Sequence, residues 1–378
     1  GEAHYPTQVA GWSDYDNDGD LDLFVGNETN KSFRAPCQLF QNQGNGTFVD
    51  VAATAGVQNF GFTKGVAWGD FNGDRFPDLF VSNYEEPNRF YLNQGDGTFR
   101  EAAAESGVLL PSRSFPAWSW DYDNDGKLDL FVSSYHGKTA NVLKYHCGQP
   151  LDLEITGFYR GDGTGKFTSQ AKELRVDRPI LPMGTNFGDL NNDGYLDFYL
   201  GTGNPNYETL VPNLMFLSQG AKEYVDVTMA GGFGHLQKGH GIAFADLDDD
   251  GDQDVFEQMG GAFPGDKFRN ALFENPGFGN GFLRVKLVGT KSNRSAIGAR
   301  IRADFVDSGT SRTVYRHIGS GGSFGCNPLR EHIGIGKATI IDRLEVYWPT
   351  SDTTQVFTGI SSGASIVVTE GSKNYASR

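Results

Sequence analysis

The chain has 378 residues, with 51 glycines, 29 phenylalanines and a net charge of −15. This length allows a large core and two or three domains, and the composition suits many short strands joined by tight turns. The acidic balance argues against nucleic acid or an anionic membrane surface as a partner. No apolar run approaches the ~18 residues of a membrane span. The first residues, GEAHYPTQVAGW, carry no leader pattern, so we expect a mature or trimmed product.

The first predicted strand leads into an acidic stretch, DYDNDGDLD, which runs directly into the apolar strand LFVGN. Similar nine-residue stretches begin at Asp70, Asp121, Asp189 and Asp246, at spacings of 56, 51, 68 and 57 residues. We call them acidic loops one to five, and they cover residues 14–22, 70–78, 121–129, 189–197 and 246–254. A strand-rich repeat of this length is typical of propeller blades.

Each repeat follows one plan of four predicted strands. A small, glycine-rich strand precedes the acidic loop, an apolar strand such as LDLFVGN follows it, and a variable loop leads to a third strand such as RFYLNQ. A glycine turn and a fourth strand, as in GDGTFREA, close the unit. Four antiparallel strands make one blade. We therefore predict an all-β fold with almost no helix: a β-propeller with five recognisable blades, and five to seven in the ring, over residues 1–288.

The loop chemistry indicates calcium. Side-chain oxygens at loop positions 1, 3, 5 and 9, with a backbone carbonyl at position 7, can surround a hard cation of calcium size. Glycine at position 6 allows the sharp turn in four loops, whereas loop two has Arg75 there, so its geometry is less certain. The predicted ligands are Asp14, Asp16, Asp18, Asp22, Asp70, Asn72, Asp74, Asp78, Asp121, Asp123, Asp125, Asp129, Asp189, Asn191, Asp193, Asp197, Asp246, Asp248, Asp250 and Asp254.

Charge and context support this interpretation over a set of metal-free acidic turns. Eighteen of these predicted ligands are aspartates, and their mutual repulsion would oppose folding without cations. We expect about five Ca²⁺ ions, which would bring the net charge from −15 to about −5. An EF-hand is rejected because it would place Glu at position 12 of its loop and would need flanking helices.

A second candidate site lies on the face opposite the acidic loops, where the loops between strands two and three should open. Lys64 and His240 begin first strands, so they should lie near the mouth of the central channel. Polar and aromatic loop residues would join them, among them His136, Tyr84 and Glu85. Such a cluster is a reasonable ligand site, although loops expose polar residues in any case.

The C-terminal segment, residues 289–378, is predicted to form short strands, either as a small separate β domain or as further blades. Its GSGGSFG stretch has no following helix and is interpreted as a turn rather than a phosphate loop. The three cysteines, Cys37, Cys147 and Cys326, lack metal-ligand spacing. They are interpreted as free thiols, with a Cys37–Cys147 disulfide as the alternative.

The repeats resemble FG-GAP/VCBS repeats, and tails such as FVDVAATAGV match the blade ends of that group. The C-terminal stretches NGFLRVKLVGTKSNRSAIGARIRADF, GSGGSFGCNPLREHIGIG and IDRLEVYWPTSDTTQVFTGI resemble the ASPIC/UnbV domain. That domain follows such repeats in the cartilage acidic protein family and its bacterial relatives. The resemblance implies a calcium-stabilised propeller with an extracellular or periplasmic location, and it implies little about activity.

Two functions remain open. The first is a secreted calcium-binding module that engages an extracellular protein or a polysaccharide through the propeller face. The second is an extracellular enzyme of the lyase or cyclase type with a site at the channel mouth. The enlarged third unit favours the enzyme, because extra loop length is often functional. A deep pocket formed by His240, Lys64 and His136 would support the enzyme, and a plugged face would support the binding module.

Overall fold

The computed structural model describes residues 4–203, 211–261 and 268–378. The chain is all-β, as predicted, with 46% of residues in strands and 4% in helices. Four sheets in the repeat region are four-stranded antiparallel meanders, consistent with propeller blades. The first strand of each sheet in the repeat region contacts the first strand of the next sheet along the chain.

Blade one contains β1 (Thr7–Ser13), β2 (Asp22–Asn27), β3 (Gln38–Asn42) and β4 (Phe48–Asp50). Blade two contains β5 (Thr63–Gly69), β6 (Asp78–Asn83), β7 (Arg89–Asn93) and β8 (Phe99–Glu101). Blade three contains β9 (Ser114–Trp120), β10 (Asp129–Ser134), β11 (Gly157–Gly161) and β12 (Phe167–Ser169). Blade four contains β13 (Pro182–Gly188), β14 (Asp197–Thr202), β15 (Leu214–Ser218) and β16 (Tyr224–Asp226). Blade five contains β17 (Gly239–Ala245), β18 (Asp254–Met259) and β19 (Ala271–Phe273).

Blade five departs from the predicted plan. Within the described residues it has three strands, because the chain after β19 enters a different sheet instead of returning as a fourth strand. The next strand, β20 (Gly281–Val288), pairs with two C-terminal strands. The division of the chain at residue 288 stays a prediction, and the pairing of β20 favours a boundary a few residues earlier.

Among the described residues of the repeat region, three short helices are found. Helices α1 (Ala52–Ala55) and α2 (Ala103–Ser106) occupy equivalent places after the fourth strands of blades one and two. Each ends at a glycine with φ of 81°, a left-handed conformation in which glycine is favoured as a helix cap. The third helix, α3 (Thr139–His146), lies in the enlarged loop of blade three and buries none of its residues.

The cores of the repeat region lie between neighbouring blades, as the alternation of apolar residues predicts. One cluster joins blades three and four through stacked aromatic rings, with Trp118 3.9 Å from Phe131 and Phe198 4.7 Å from Phe216 between ring centroids. Equivalent clusters join blades one and two, two and three, and four and five. Each blade is thus held by the face that it shares with its neighbour.

The C-terminal strands form two sheets over a common core rather than further blades. Their bounds are β21 (Arg300–Asp307), β22 (Thr310–His317), β23 (Arg330–Gly336), β24 (Ile340–Trp348), β25 (Thr353–Ser361), β26 (Ala364–Thr369) and β27 (Ala376–Ser377). The sheet orders are β23-β20-β26-β27 and β22-β21-β24-β25, and β20 runs parallel to β26. A parallel pair cannot belong to the simple antiparallel meander of a blade. We call this unit the C-terminal sandwich.

The thiols are free in the structure. Cys37 is fully buried and Cys147 and Cys326 are exposed, so the alternative of a Cys37–Cys147 disulfide is wrong. Cys37 lies 3.2 Å from the hydroxyl of Thr63, and burial raises the pKa of its thiol. Its role is therefore that of a core residue.

Candidate functional site

The five acidic loops share one backbone conformation. Position 4 is left-handed in every loop, as at Asn17 with φ of 57° and Gly73 with φ of 76°. Position 6 is left-handed as well, and the four glycines there adopt φ of 85° to 101° without a steric penalty. Arg75 adopts the same conformation at φ of 75°, so loop two keeps the turn despite its side chain.

The aspartates at position 9 have a second role that the sequence interpretation missed. In every loop, one carboxylate oxygen accepts the backbone N–H of position 2, and the other accepts a backbone N–H from the third strand or just beyond it. For Asp22 these donors are Tyr15, at 3.2 Å, and Asn42, at 2.8 Å. All five aspartates are buried. Each therefore ties its loop to its blade whether or not it also binds a cation.

Three loops bring their carboxylates close enough to hold a metal ion. One oxygen from each of Asp14, Asp16 and Asp18 lies within 4.8 Å of the others. The same holds for two further trios, Asp121 with Asp123 and Asp129, and Asp246 with Asp248 and Asp250. Such an all-oxygen set is what calcium prefers.

Unpartnered oxygens within these clusters support the fit to a cation. Oδ1 of Asp14, of Asp16 and of Asp246 is buried without a hydrogen-bond partner among the described residues. Burial also raises the pKa of Asp14 to about 6 and the pKa of Asp121 to about 7. Burial disfavours the charged carboxylates, and a bound cation would restore them. The residues present therefore fit calcium, which would be held by the carboxylates at positions 1, 3 and 5 or 9.

Loops two and four differ from the other three. Each has asparagine at position 3, and its amide donates to the aspartate at position 5, at 2.9 Å from Asn72 to Asp74 and at 3.2 Å from Asn191 to Asp193. A cation would need the amide oxygen instead, so these side chains would have to turn. The predicted ligands of loops two and four stay a prediction.

The C-terminal sandwich lies over the acidic loops and contacts all five. Lys291 approaches Gly19 in loop one, Asp352 pairs with Arg75 in loop two, and the backbone N–H of Tyr315 donates to Asn124 in loop three. In loop four, Arg316 lies 3.6 Å from Asp189 and His332 Nε2 lies 2.6 Å from Asn192. In loop five, Arg284 donates to Asp246 at 2.7 Å. Any cation in these loops would therefore act on the contact between the two units.

One buried carboxylate organises the part of the sandwich that faces loop one. Glu370 accepts backbone N–H bonds from Thr290, Lys291 and Ser292 at 2.7 to 2.8 Å and a hydroxyl bond from Ser351. Burial acts to raise the pKa of Glu370, but these hydrogen bonds outweigh it and hold the pKa at about 2. The neighbouring Thr350 hydroxyl donates to Asp14 at 2.8 Å. Glu370 thus holds the two segments of the sandwich that contact loop one, residues 290–292 through their backbone and Ser351 through its hydroxyl.

A loop of the sandwich runs along the first strands of the blades. We call residues 318–329 the central loop. Ser323 Oγ accepts the backbone N–H of Val66 at 3.0 Å, and the Asn327 side chain bonds to both β13 and β17. Gly325 lies so close to the strands that a Cβ there would be 2.5 Å from the carbonyl oxygen of Ile242. The glycine run GSGGSFG, interpreted above as a turn, was the available signal for this close approach.

Two of the five predicted ligand-face residues, Lys64 and Tyr84, share an aromatic cluster. The Lys64 ammonium pairs with Glu28 and lies 4.2 Å from the ring centroid of Phe62 and 5.1 Å from that of Phe115. Tyr84 contacts the Phe62 ring as well, edge-on at 5.8 Å. Phe324 of the central loop stacks on Phe115 at 5.4 Å. The sandwich thus contributes a side chain to this face.

Of the other three predicted residues, Glu85 and His136 lie beside Arg113, and His240 lies in another blade. Glu85 pairs with Arg113 at 3.4 Å, and burial together with Arg113 lowers the pKa of His136. His240 is in blade five, with Nδ1 3.3 Å from the carbonyl oxygen of Lys238. No contact between His240 and the other four is found among the described residues.

Comparison with known proteins identifies both parts of the chain. A family model described as "FG-GAP-like repeat" matches residues 14–81, 70–132 and 121–200, and one described as "ASPIC and UnbV" matches residues 289–375. Cartilage acidic protein 1 of Mus musculus is 33% identical over 196 residues, which cover 48% of this chain and 26% of that protein. The Homo sapiens protein of that name is 32% identical over 196 residues with the same coverage, and the Xenopus tropicalis one is 36% identical over 197 residues, covering 50% of this chain and 27% of that protein. The matched part thus spans about a quarter of the length of these relatives. In the described part of the chain, no helix combines the length and hydrophobicity of a membrane span.

Proposed function

We propose that this chain, an FG-GAP-repeat protein with a C-terminal ASPIC/UnbV domain and homology to cartilage acidic protein 1, is an extracellular calcium-binding interaction module. The observation that carries the proposal is the repeated loop geometry. In three loops, one oxygen from each of three carboxylates lies within 4.8 Å of the other two, and three buried oxygens in these loops lack any described partner. Calcium supplies a divalent charge that such oxygens can share.

The position of the loops suggests what calcium does for the molecule. Each loop lies between a blade and the C-terminal sandwich, so neutralising its carboxylates would stabilise both the blade and the contact with the sandwich. Arg284 and Arg316 already offset part of the charge of loops five and four. A site of this kind suits a calcium-rich exterior, because extracellular modules bind with Kd on the order of 10⁻⁴–10⁻³ M.

Calcium binding is tested by counting ions in equilibrium dialysis. We expect about five per chain for the wild type and one fewer for Asp16→Ala, which removes both oxygens of a predicted ligand, one of them buried without a described partner. The matched control is Asp20→Ala, which removes the same group from the same loop at position 7, where only the backbone carbonyl is a predicted ligand. Equal stoichiometry for Asp16→Ala and the wild type, or no saturable binding at millimolar calcium, would refute the proposal.

The interaction face is proposed to lie opposite the acidic loops, around Lys64 and Tyr84. Its support is the Lys64 ammonium held between aromatic rings, with the side chain 11% exposed, an arrangement that can offer both charge and flat apolar surface to an extracellular protein or polysaccharide. Phe324 stacks on Phe115, the ring next to Lys64, and this filling of the cluster favours a binding surface over a deep catalytic pocket. The predicted contributions of Glu85, His136 and His240 remain proposals.

This face is tested with Lys64→Met on an array of extracellular polysaccharides and matrix proteins. We expect at least a tenfold loss of affinity for each array member that the wild type binds. The substitution removes the positive charge and its contact with the rings of Phe62 and Phe115. Lys222→Met removes the same charge from an exposed position between β15 and β16 and should bind like the wild type. Equal binding by the two variants would show that the interaction face does not include Lys64.

A further inference from the structure

Two adjacent cavities lie between the acidic loops and the C-terminal sandwich. Their volumes are about 330 and 280 Å³. They share a wall of six residues, which are Phe187, Leu196, Arg316, Asn327, Pro328 and Glu331. We call the two together the interdomain cleft, with a first and a second lobe. Their combined size is within the range of pockets that hold small organic ligands.

Buried hydrogen-bond donors without partners lie on the walls of this cleft. The Arg316 side chain is 4% exposed, and its Nε has no partner among the described residues. Nε of Arg284 and Nε1 of Trp120 also lack a described partner, as does Nε2 of His317, which donates in the tautomer that carries its proton on that nitrogen. A buried donor that stays unsatisfied destabilises the folded state. Several such donors on one cleft give it the capacity to bind a group with hydrogen-bond acceptors.

The two lobes differ in character. The second lobe is lined by Arg284, Arg316 and Arg330, an unusual concentration of positive charge in a chain of net charge −15. The first lobe is lined by aromatic side chains that include Trp68, Trp120 and Phe187. It reaches solvent beside Arg75 and Lys127, whose side chains are 37% and 45% exposed.

Carboxylates on the walls already accept hydrogen bonds from the protein itself. Asp246 accepts from Arg284 at 2.7 Å, and Asp70 and Asp121 accept backbone N–H bonds within their own loops. Burial raises the pKa of Glu331 to about 7, which reduces its negative charge at neutral pH. The Nε of Arg316 and the Nε1 of Trp120 therefore remain available to a ligand, whereas Nη1 and Nη2 of Arg316 donate to the carbonyl oxygens of Tyr315 and Gly194.

We propose that the interdomain cleft binds a small organic anion, with an aromatic or other apolar body in the first lobe and a carboxylate, sulfonate or phosphate group among the arginines of the second. Guanidinium groups bind such oxyanions through paired hydrogen bonds, and the aromatic walls bury the apolar part. The ligand would touch both units, so its binding would also hold the sandwich on the blades. This inference does not depend on the proposed partner face.

The test uses a matched pair of probes that differ in charge, 2-naphthoate and 2-naphthalenemethanol. Isothermal titration of calcium-saturated protein should show one naphthoate site per chain and at least tenfold weaker binding of the alcohol. Equal affinities, or no saturable binding of naphthoate, would overturn the proposal.

Two variants locate the site. Ser320→Trp places a large side chain in the first lobe, from a serine whose side chain has no described hydrogen bond, and should abolish binding of both probes. Arg316→Gln should weaken the binding of naphthoate at least tenfold and leave the affinity for the alcohol within about twofold of the wild type. The preference for the charged probe should therefore decrease. Arg302→Gln, on β21 with its side chain 40% exposed, is the control and should bind like the wild type.

Near-UV circular dichroism of each variant checks the fold. If Arg316→Gln does not fold, because Arg316 also donates to the Tyr315 carbonyl and approaches loop four, Ser320→Trp still decides the location. Wild-type affinity for naphthoate in Ser320→Trp would place the probe outside the cleft and refute the proposal.

Discussion

Excess EGTA lowers the melting temperature of this protein by roughly 10 °C or more relative to 2 mM free calcium, if the acidic loops bind calcium as proposed. With Kd on the order of 10⁻⁴ M, each loop would stabilise the native state by about 1.8 kcal/mol, and five loops by about 9 kcal/mol. The effect is large because an empty loop leaves carboxylates such as Asp14 and Asp121 charged against a buried wall.

The measurement is a thermal melt at several calcium concentrations, followed by circular dichroism. The melting temperature should rise with the logarithm of free calcium above the Kd, because the ion binds the folded chain and not the unfolded one. Potassium chloride at matched ionic strength should restore little of the loss, which separates binding from screening. A melting temperature that is the same in EGTA and in calcium would contradict the structural role of the loops.

The second large effect is expected for Asp22→Asn. The two carboxylate oxygens of Asp22 accept the backbone N–H groups of Tyr15 and Asn42, and the side chain is buried. An asparagine can accept only one of these bonds and presents its own N–H to the other donor. We expect a loss of about 3 kcal/mol in the free energy of unfolding, since a bond to a charged group is lost and a buried donor is left unsatisfied.

Urea unfolding of calcium-saturated protein measures this loss against two variants of the same loop. Asp16→Asn also removes a carboxylate charge at a predicted ligand position, but Asp16 accepts a described hydrogen bond only from the Gln41 side chain and none from the backbone, so it should cost less than Asp22→Asn. Asp20→Asn should lie within about 0.5 kcal/mol of the wild type. If Asp22→Asn costs no more than Asp16→Asn, the hydrogen bonds at position 9 contribute little beyond the ligand role.

The role of position 9 could be predicted only in part from the sequence. The spacing of the aspartates predicted oxygen ligands at positions 1, 3, 5 and 9, and three of the five loops bring three of these four carboxylates within 4.8 Å of one another, while the ligand roles stay a prediction. The pattern did not reveal that position 9 bonds to the third strand, because Asn42 lies 20 residues from Asp22. Only the pairing of the strands brings that backbone N–H to the carboxylate.

The second candidate site shows the same limit. Placing Lys64 and Tyr84 on one face followed from the order of strands within a repeat, and the structure brings both to one aromatic cluster. His240 also begins a first strand, but in blade five, without a described contact to that cluster. Equivalent positions in different repeats share a face, while direct contact depends on side-chain length and on which blades are neighbours.

The amino-acid sequence by itself determined the all-β class, the repeat of strands and the acidic loops. These features depend on residues within one repeat, where alternation and turn chemistry act over a few positions. Tertiary structure alone decided that the C-terminal sandwich covers the loops, that Ser323 and Asn327 bond to first strands, and that Arg316 faces a cleft. Asn327 and Phe187 are 140 residues apart and Ser323 and Val66 are 257 residues apart. No periodic pattern spans such separations, because the contacts form between surfaces whose shapes exist only after both units have folded.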